Sequence, residues 1–228
     1  MDTKQNFELY ADTKRFSAFS TGAWATHFEE ARQISGRTLD ELRFLDVGCG
    51  DGKYFNYLRN CGLSPANIHG TEASQKRIER CREIGWENAV HVPPGTAQPY
   101  PDGYFHIVNL MEVIEHVPMS MAPALVSEIR RVTSKDGVLL LSTPNYPIKR
   151  FYDLYHAVRF RKWARLRDDP THVTWYNHAK LAALLQPHFR VIAERPYRQG
   201  FLFDWWPLPV FRHKIFYLCH NGTAPAHD

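Results

Sequence analysis

Phe44-Leu45-Asp46-Val47-Gly48-Cys49-Gly50-Asp51-Gly52 decides the fold of this chain. Apolar Phe44, Leu45 and Val47 predict a buried strand, and the alternating glycines a tight turn. Lys53 to Leu58 then reads as the opening of a helix. Glycine is needed where the backbone takes positive φ or approaches a ligand closely. A helix start offers free N–H groups to an anionic group. A glycine turn between a first strand and a helix is the architecture of a nucleotide-type cofactor site.

The spacing is not the dinucleotide fingerprint G-x-G-x-x-G. The third glycine comes one residue early, and Lys53 stands where that fingerprint wants glycine. An acid, Asp46, precedes the first glycine. Further segments follow in order: Ile68-His69-Gly70-Thr71-Glu72-Ala73-Ser74, Pro99-Tyr100-Pro101-Asp102-Gly103-Tyr104-Phe105, Leu110 to Pro118, and Gly137 to Asn145. Asp46 to Gly52 resembles motif I, D-x-G-x-G-x-G, of class I S-adenosylmethionine (SAM)-dependent methyltransferases of the type 11/23 kind. The later segments resemble that family's second strand, the segment leading into strand four, the motif after strand four, and strand five with its exit. The resemblance spans about residues 40 to 195.

It implies SAM as cofactor and S-adenosylhomocysteine as product. Glu72, about twenty residues past the glycine turn, is placed to take two ribose hydroxyls. Asp46 would bond turn amides, or the methionine ammonium through water. Gly48 and Gly50 would contact the methionyl part, with Cys49, Gly52, Tyr54 and Ala73 completing the two turns. Leu110 and Met111 end strand four, where the family brings backbone near the sulfonium. The family's acid for the adenine amino group, after strand three, is replaced by Gly95-Thr96-Ala97, so the Thr96 hydroxyl and Ala97 amide are the substitutes. The family's Asp after the strand-four lead-in is His106, a position that supports the fold.

At 228 residues, 44% hydrophobic and 23% charged, the chain suits one domain over 1–228 with a substantial core. No apolar run approaches a membrane span, and Met1 to Gln5 lacks an apolar signal core, so the expected location is cytoplasmic. Cys49, Cys61, Cys81 and Cys219 are scattered, which argues for reduced thiols and against a zinc site. Strands are predicted near 43–48, 67–72, 89–93, 105–111, 137–143, 189–196 and 214–220. Helices are predicted near 53–60, 74–84, 121–133 and 178–186, the last with Asn177 as N-cap. The alternation predicts an α/β fold, a doubly wound parallel sheet with helices on both faces. The resemblance adds that the sheet is Rossmann-like and seven-stranded, mostly parallel with an antiparallel last strand.

Three segments lie outside this core pattern. Residues 1–40, with Tyr10, Phe16, Phe19, Trp24 and Phe28, are expected to form a helical cap. Residues 145–176 form a lid insert after strand five. From Lys149 to Arg167 it holds seven basic residues against Asp153, a net of +6 in a chain of +4, so the remainder carries −2. Phe151, Leu154, Tyr155 and Val158 recur at helical spacing, giving an amphipathic basic helix. The expected arrangement is a solvated basic face over a packed apolar stripe, with membrane, anionic substrate or partner binding as alternatives. Residues 198–212, around Trp205 and Trp206, form an aromatic loop before the last strand, for a substrate pocket or an interface. No nucleic-acid partner is expected, because basic and aromatic residues are not interleaved along a binding module.

Methyl transfer from a sulfonium needs alignment, exclusion of water and sometimes a base. Two histidines are the catalytic candidates. His116 closes Glu112-Val113-Ile114-Glu115-His116, and His172 stands in Asp168-Asp169-Pro170-Thr171-His172-Val173. The first run resembles ubiquinone-type O-methyltransferases, where these acids and the histidine are associated with a divalent metal. On a helix, Glu112, Glu115 and His116 would share one face. Most of the superfamily binds no metal here, and none is expected. The function expected is methyl transfer to a small-molecule or lipid- or sugar-linked acceptor, at oxygen rather than nitrogen. Basic residues beside an aromatic loop point to an anionic or amphipathic acceptor. The alternative is a non-catalytic SAM-fold module binding a partner through the 149–167 helix and the 201–211 loop.

Overall fold

Alternation along single strands sorts the apolar side chains onto two faces of one sheet. In β1 (Phe44–Val47), Phe44 points to one core, while Leu45 and Val47 point to the other. The same division holds in β4 (Phe105–Met111), where Ile107 and Met111 oppose Val108 and Leu110. It holds again in β5 (Thr133–Pro144), where Val138 and Leu140 oppose Leu139 and Leu141. A strand apolar on both sides needs cover on both. The computed structural model describes residue 11, residues 22–196 and residues 209–222. One face is covered by α1 (Gly22–Ser35), α2 (Phe55–Asn60) and α3 (Gln75–Glu83), through Trp24, Phe28, Leu58 and Ile78. The other is covered by α4 (Ala122–Val132) and, after α5 (Ile148–Phe160), by α6 (His178–Leu185), through Val126, Ile129, Leu181 and Leu185.

The remaining strands are β2 (Ile68–Glu72), β3 (Ala89–His91), β6 (Arg190–Glu194) and β7 (Lys214–His220). The sheet order is β3-β2-β1-β4-β5-β7-β6. All pairings from β3 to β5 are parallel, and β7 is antiparallel to both its neighbours. The expected seven-stranded, mostly parallel sheet is therefore present. β2 lies on one side of β1 and β4 on the other, so the winding reverses at β1. A cleft opens at the carboxyl ends of strands at such a reversal. Asn177 caps α6, its side chain accepting from the Lys180 N–H. His106 sits under the Arg43 backbone N–H at 3.1 Å, and burial beside Arg43 pushes its imidazole down to about 4.

Two expectations are corrected. Ile114–His116 is a single 3-10 turn rather than an α-helix, so Glu112, Glu115 and His116 do not share a helical face. Glu112 takes φ +59 just before it, which breaks any helical register. In α5 the inward side chains are Tyr152, Asp153, His156 and Ala157. Phe151, Leu154, Tyr155 and Val158, expected to pack, are exposed. The stripe faces out because Asp153 is drawn in by Lys149 at 2.6 Å, and Tyr152 stacks on His213 at 4.0 Å between centroids. Within residues 1–40, Trp24 and Phe28 pack into the core, while Tyr10, Phe16 and Phe19 lie outside the described residues. So do Trp205 and Trp206 of the aromatic loop.

Trp24 stacks with Phe28, meets Tyr54 at a tilt, and donates its indole N–H to Asn109 Oδ1 at 3.0 Å. Trp24→Phe keeps a ring there but leaves that buried oxygen without its donor. It is expected to cost at least about 1–3 kcal/mol, read as a lower denaturant midpoint with an unchanged slope.

Candidate active site

A cavity of about 790 Å³ opens over the carboxyl ends of β1, β2 and β4. Its floor is the glycine turn after β1. Gly48 takes φ +73, and a Cβ there would meet Val113 at 2.4 Å, so only glycine lets the strand-four exit close over the turn. The turn is tied to β2 by its own amides. The N–H groups of Gly48 and Cys49 donate to the Thr71 carbonyl at 2.7 and 3.0 Å. The Glu72 carboxylate accepts from Gly50 N–H at 2.9 Å on one oxygen, and from Ala73 and Ser74 N–H on the other. A carboxylate has about four acceptor sites, so one remains for a ligand hydroxyl.

Asp46 does not bond the turn amides, as expected of it; Thr71 and Glu72 already hold them. It accepts instead from Asn109 Nδ2 at 2.6 Å, through Oδ1. Its Oδ2 is buried without a partner, at the cavity wall. Burial pushes its carboxyl up to about 7. Asn109, which positions Asp46, was not singled out by motif reading. Its signal was a polar residue inside the apolar run of β4, on the same face as Asp46.

Of the expected cofactor residues, Asp46, Gly48, Cys49, Gly50, Tyr54, Glu72, Ala73, Thr96, Ala97 and Met111 line the cavity. Two do not. A Cβ on Gly52 would meet Ile84 at 2.7 Å, because this glycine faces the packing under the turn. Leu110 points into the opposite core. In the loop after β3, the Thr96 hydroxyl donates to the Pro93 carbonyl at 2.6 Å. Beside it, buried Gln98 lines the cavity with Oε1 unpartnered. Gln98 gave no signal in the sequence, since loop register does not show which side chain turns in.

The opposite wall carries the titratable groups. Glu112 accepts from Ser142 Oγ at 2.8 Å and pairs with Lys214. Enclosure by the protein would raise its carboxyl, but Lys214 and Ser142 outweigh that and hold it below the usual value. Glu115 is buried; desolvation and the Glu112 charge push it well above the usual value. Its Oε2 accepts from Thr143, and Oε1 has no partner. His116 Nδ1 lies 3.0 Å from the Thr171 carbonyl. A carbonyl only accepts, so Nδ1 carries the proton and the lone pair falls on Nε2. His172 Nδ1 lies 3.1 Å from the Tyr146 hydroxyl, which donates to Asp168 at 2.8 Å, so its lone pair too falls on Nε2. Burial, aided by His116, pushes His172 down to about 4. The two expected histidines come together, with ring centroids 4.9 Å apart.

Glu115, His116 and His172 each present a ligand atom within 4.8 Å of the others, a mixed set that could hold a divalent cation. This differs from the set implied by the motif: Glu112 is engaged by Lys214, and His172 stands in its place.

The chain matches the model of a methyltransferase domain over residues 15–188. It is 26% identical over 133 residues to the ubiquinone biosynthesis O-methyltransferase of Pelagibacter ubique, covering 57% of this chain and 53% of that one. It is 35% identical over 105 residues to a probable chloroplastic tocopherol O-methyltransferase of Oryza sativa, covering 43% and 28%. The chain thus spans about half or less of the curated relatives it matches. Among solved structures, a protein from Pyrococcus horikoshii superposes with TM-score 0.61 at 14% identity, covering 94% of this chain and 99% of that one. A SAM-dependent methyltransferase from Aquifex aeolicus superposes with TM-score 0.57 at 14% identity, covering 97% and 99%. The chain belongs to this methyltransferase-domain family, and it shares its fold with SAM-dependent methyltransferases. No helix among the described residues is long and apolar enough to cross a membrane.

The cavity fits SAM on its own terms. The unpartnered Asp46 oxygen suits an ammonium, the glycine turn leaves room for the methionyl chain, and Glu72 can take a ribose hydroxyl. The Gln98 oxygen suits an adenine amino group. An ammonium beside Asp46 would draw its pKa back down from about 7. Cofactor binding at pH 6 is therefore expected to release a proton, and affinity to rise with pH up to about 8. Calorimetry of S-adenosylhomocysteine in buffers of different ionisation enthalpy checks this; Asp46→Asn should abolish the release.

Proposed function

We propose that the protein moves a methyl group from SAM to an oxygen of a small or lipid- or sugar-linked acceptor, amphipathic or anionic in character. The observation that carries the reading is the basic Nε2 of His116 at the cavity wall. An amine needs only to be neutral, whereas a hydroxyl needs a base as it attacks. The O-methyltransferase names of the curated relatives support oxygen. The exposed basic residues of the 150–167 segment support an acceptor with negative character.

SAM supplies a methyl group already activated on a sulfonium. The chain's residues align the acceptor, exclude water and take the proton. SAM would give up the methyl group and leave as a neutral thioether, while the proton of the acceptor oxygen would pass to His116 Nε2. The Thr171 carbonyl fixes the imidazole while Glu115 lies beside the charge that develops. His172, held at about 4, stays neutral near pH 7 and orients rather than accepts.

His116→Ala is expected to lower kcat by about 10²-fold or more while leaving S-adenosylhomocysteine affinity unchanged. Glu72→Ala is expected to abolish that affinity. A panel of phenols, carboxylic acids and amines, read by S-adenosylhomocysteine release and mass spectrometry of products, tests the acceptor atom. Methylated amines alone would overturn oxygen, and no cofactor binding by the wild type would overturn the whole reading.

A further inference from the structure

The residues 150–167 form one outward face that is both apolar and basic. Phe151, Leu154 and Val158 recur on the outer side of α5 and are 62%, 50% and 61% exposed. Arg161 takes φ +53 and ends the helix, and the chain folds back through a 3-10 turn at Trp163–Leu166. Arg150 Nη2 donates to the Leu166 carbonyl at 3.1 Å, which seats that turn beside the start of the helix. Trp163, 59% exposed, and the exposed Phe160 and Leu166 thereby extend the apolar face.

Basic residues ring it. Arg150, Arg159, Arg161, Lys162, Arg165 and Arg167 are all exposed. No acid in 150–167 reaches solvent, because the single one, Asp153, is buried and paired with Lys149. Apolar side chains of this size normally pack inward, and a helix that turns them out beside so many cations is built to meet something. Like charge opposes a second copy docking through the same face. An aqueous acidic partner would satisfy the cations but gives Phe151, Val158 and Trp163 no apolar phase to enter. An anionic lipid surface satisfies both, with apolar side chains seated at the headgroup boundary and basic heads at the phosphates.

We propose that the face of α5 and the following 3-10 turn docks the protein on membranes containing anionic lipids. The same segment continues to the active-site wall. Lys149 pairs with Asp168 at 3.0 Å, Asp168 accepts from Tyr146, and Tyr146 meets His172. Docking would hold the cleft close to the lipid phase.

The test is co-sedimentation of the full chain with vesicles of phosphatidylcholine alone or with 30% phosphatidylglycerol. Binding is expected to the anionic vesicles only, and to weaken as salt rises. Arg159→Glu with Arg161→Glu, and separately Phe151→Ser with Val158→Ser, are each expected to weaken it about tenfold or more, with S-adenosylhomocysteine affinity unchanged as the control for folding. Absence of binding to anionic vesicles would overturn the proposal. So would binding that both variant pairs leave intact, or, in ultracentrifugation, a dimer that the Ser pair dissolves in a protein that ignores vesicles. None of these results bears on the acceptor atom.

Discussion

The Glu72 carboxylate is the group on which the geometry of the cofactor cleft depends. It takes the amides of Gly50, Ala73 and Ser74, so the turn after β1 and the turn after β2 are closed by one side chain. Hydrogen bonds to a charged acceptor contribute roughly 1.5–3 kcal/mol each, more than neutral ones. The backbone that must lie against a cofactor is thereby held before any ligand arrives. Its rigidity also lets Val113 close over Gly48, which in turn sets where Glu112, Glu115 and His116 enter the cleft.

The cleft separates its acids by environment. Glu112 is kept ionised by Lys214 and Ser142. Glu115, a short way on in the chain, is desolvated beside the Glu112 charge, which outweighs the pull of Lys214, and is driven toward its neutral form. Asp46 lies on the cofactor side, also raised, with one oxygen buried and unpartnered at the cavity wall. Such separation of like groups allows one site to bind a cation at one end and move a proton at the other. Burial and the neighbouring His116 push His172 down, which keeps that ring neutral beside it.

The segment after β5 connects this chemistry to the outside. Asn145 anchors it, donating through Nδ2 to the carbonyls of Val210 and Arg212. Beyond that anchor, Lys149, Asp153 and Asp168 form a partly buried ionic cluster that ties α5 to the segment leading to the cleft wall. Drawing Asp153 inward is what turns Phe151 and Val158 outward.

Local sequence determined the sheet, its winding and the cofactor turn. Asp46 to Gly52 could be read because a glycine turn between a strand and a helix is a backbone requirement, satisfied within a few residues. The strands could be read because each buried one alternates or runs apolar by itself. What tertiary structure alone decided is every contact that depends on distant chain: Asn109 between Asp46 and Trp24, Lys214 on Glu112, Gln98 turned into the cavity, and His172 brought to His116. The helical face expected of Glu112, Glu115 and His116 failed for the same reason, since Lys214 and Ser142 hold Glu112 in a backbone conformation that no helix allows. The orientation of α5 was likewise beyond periodicity. Hydrophobic spacing says which side chains share a face, but whether that face meets the core or the solvent is set by where the charges find their partners.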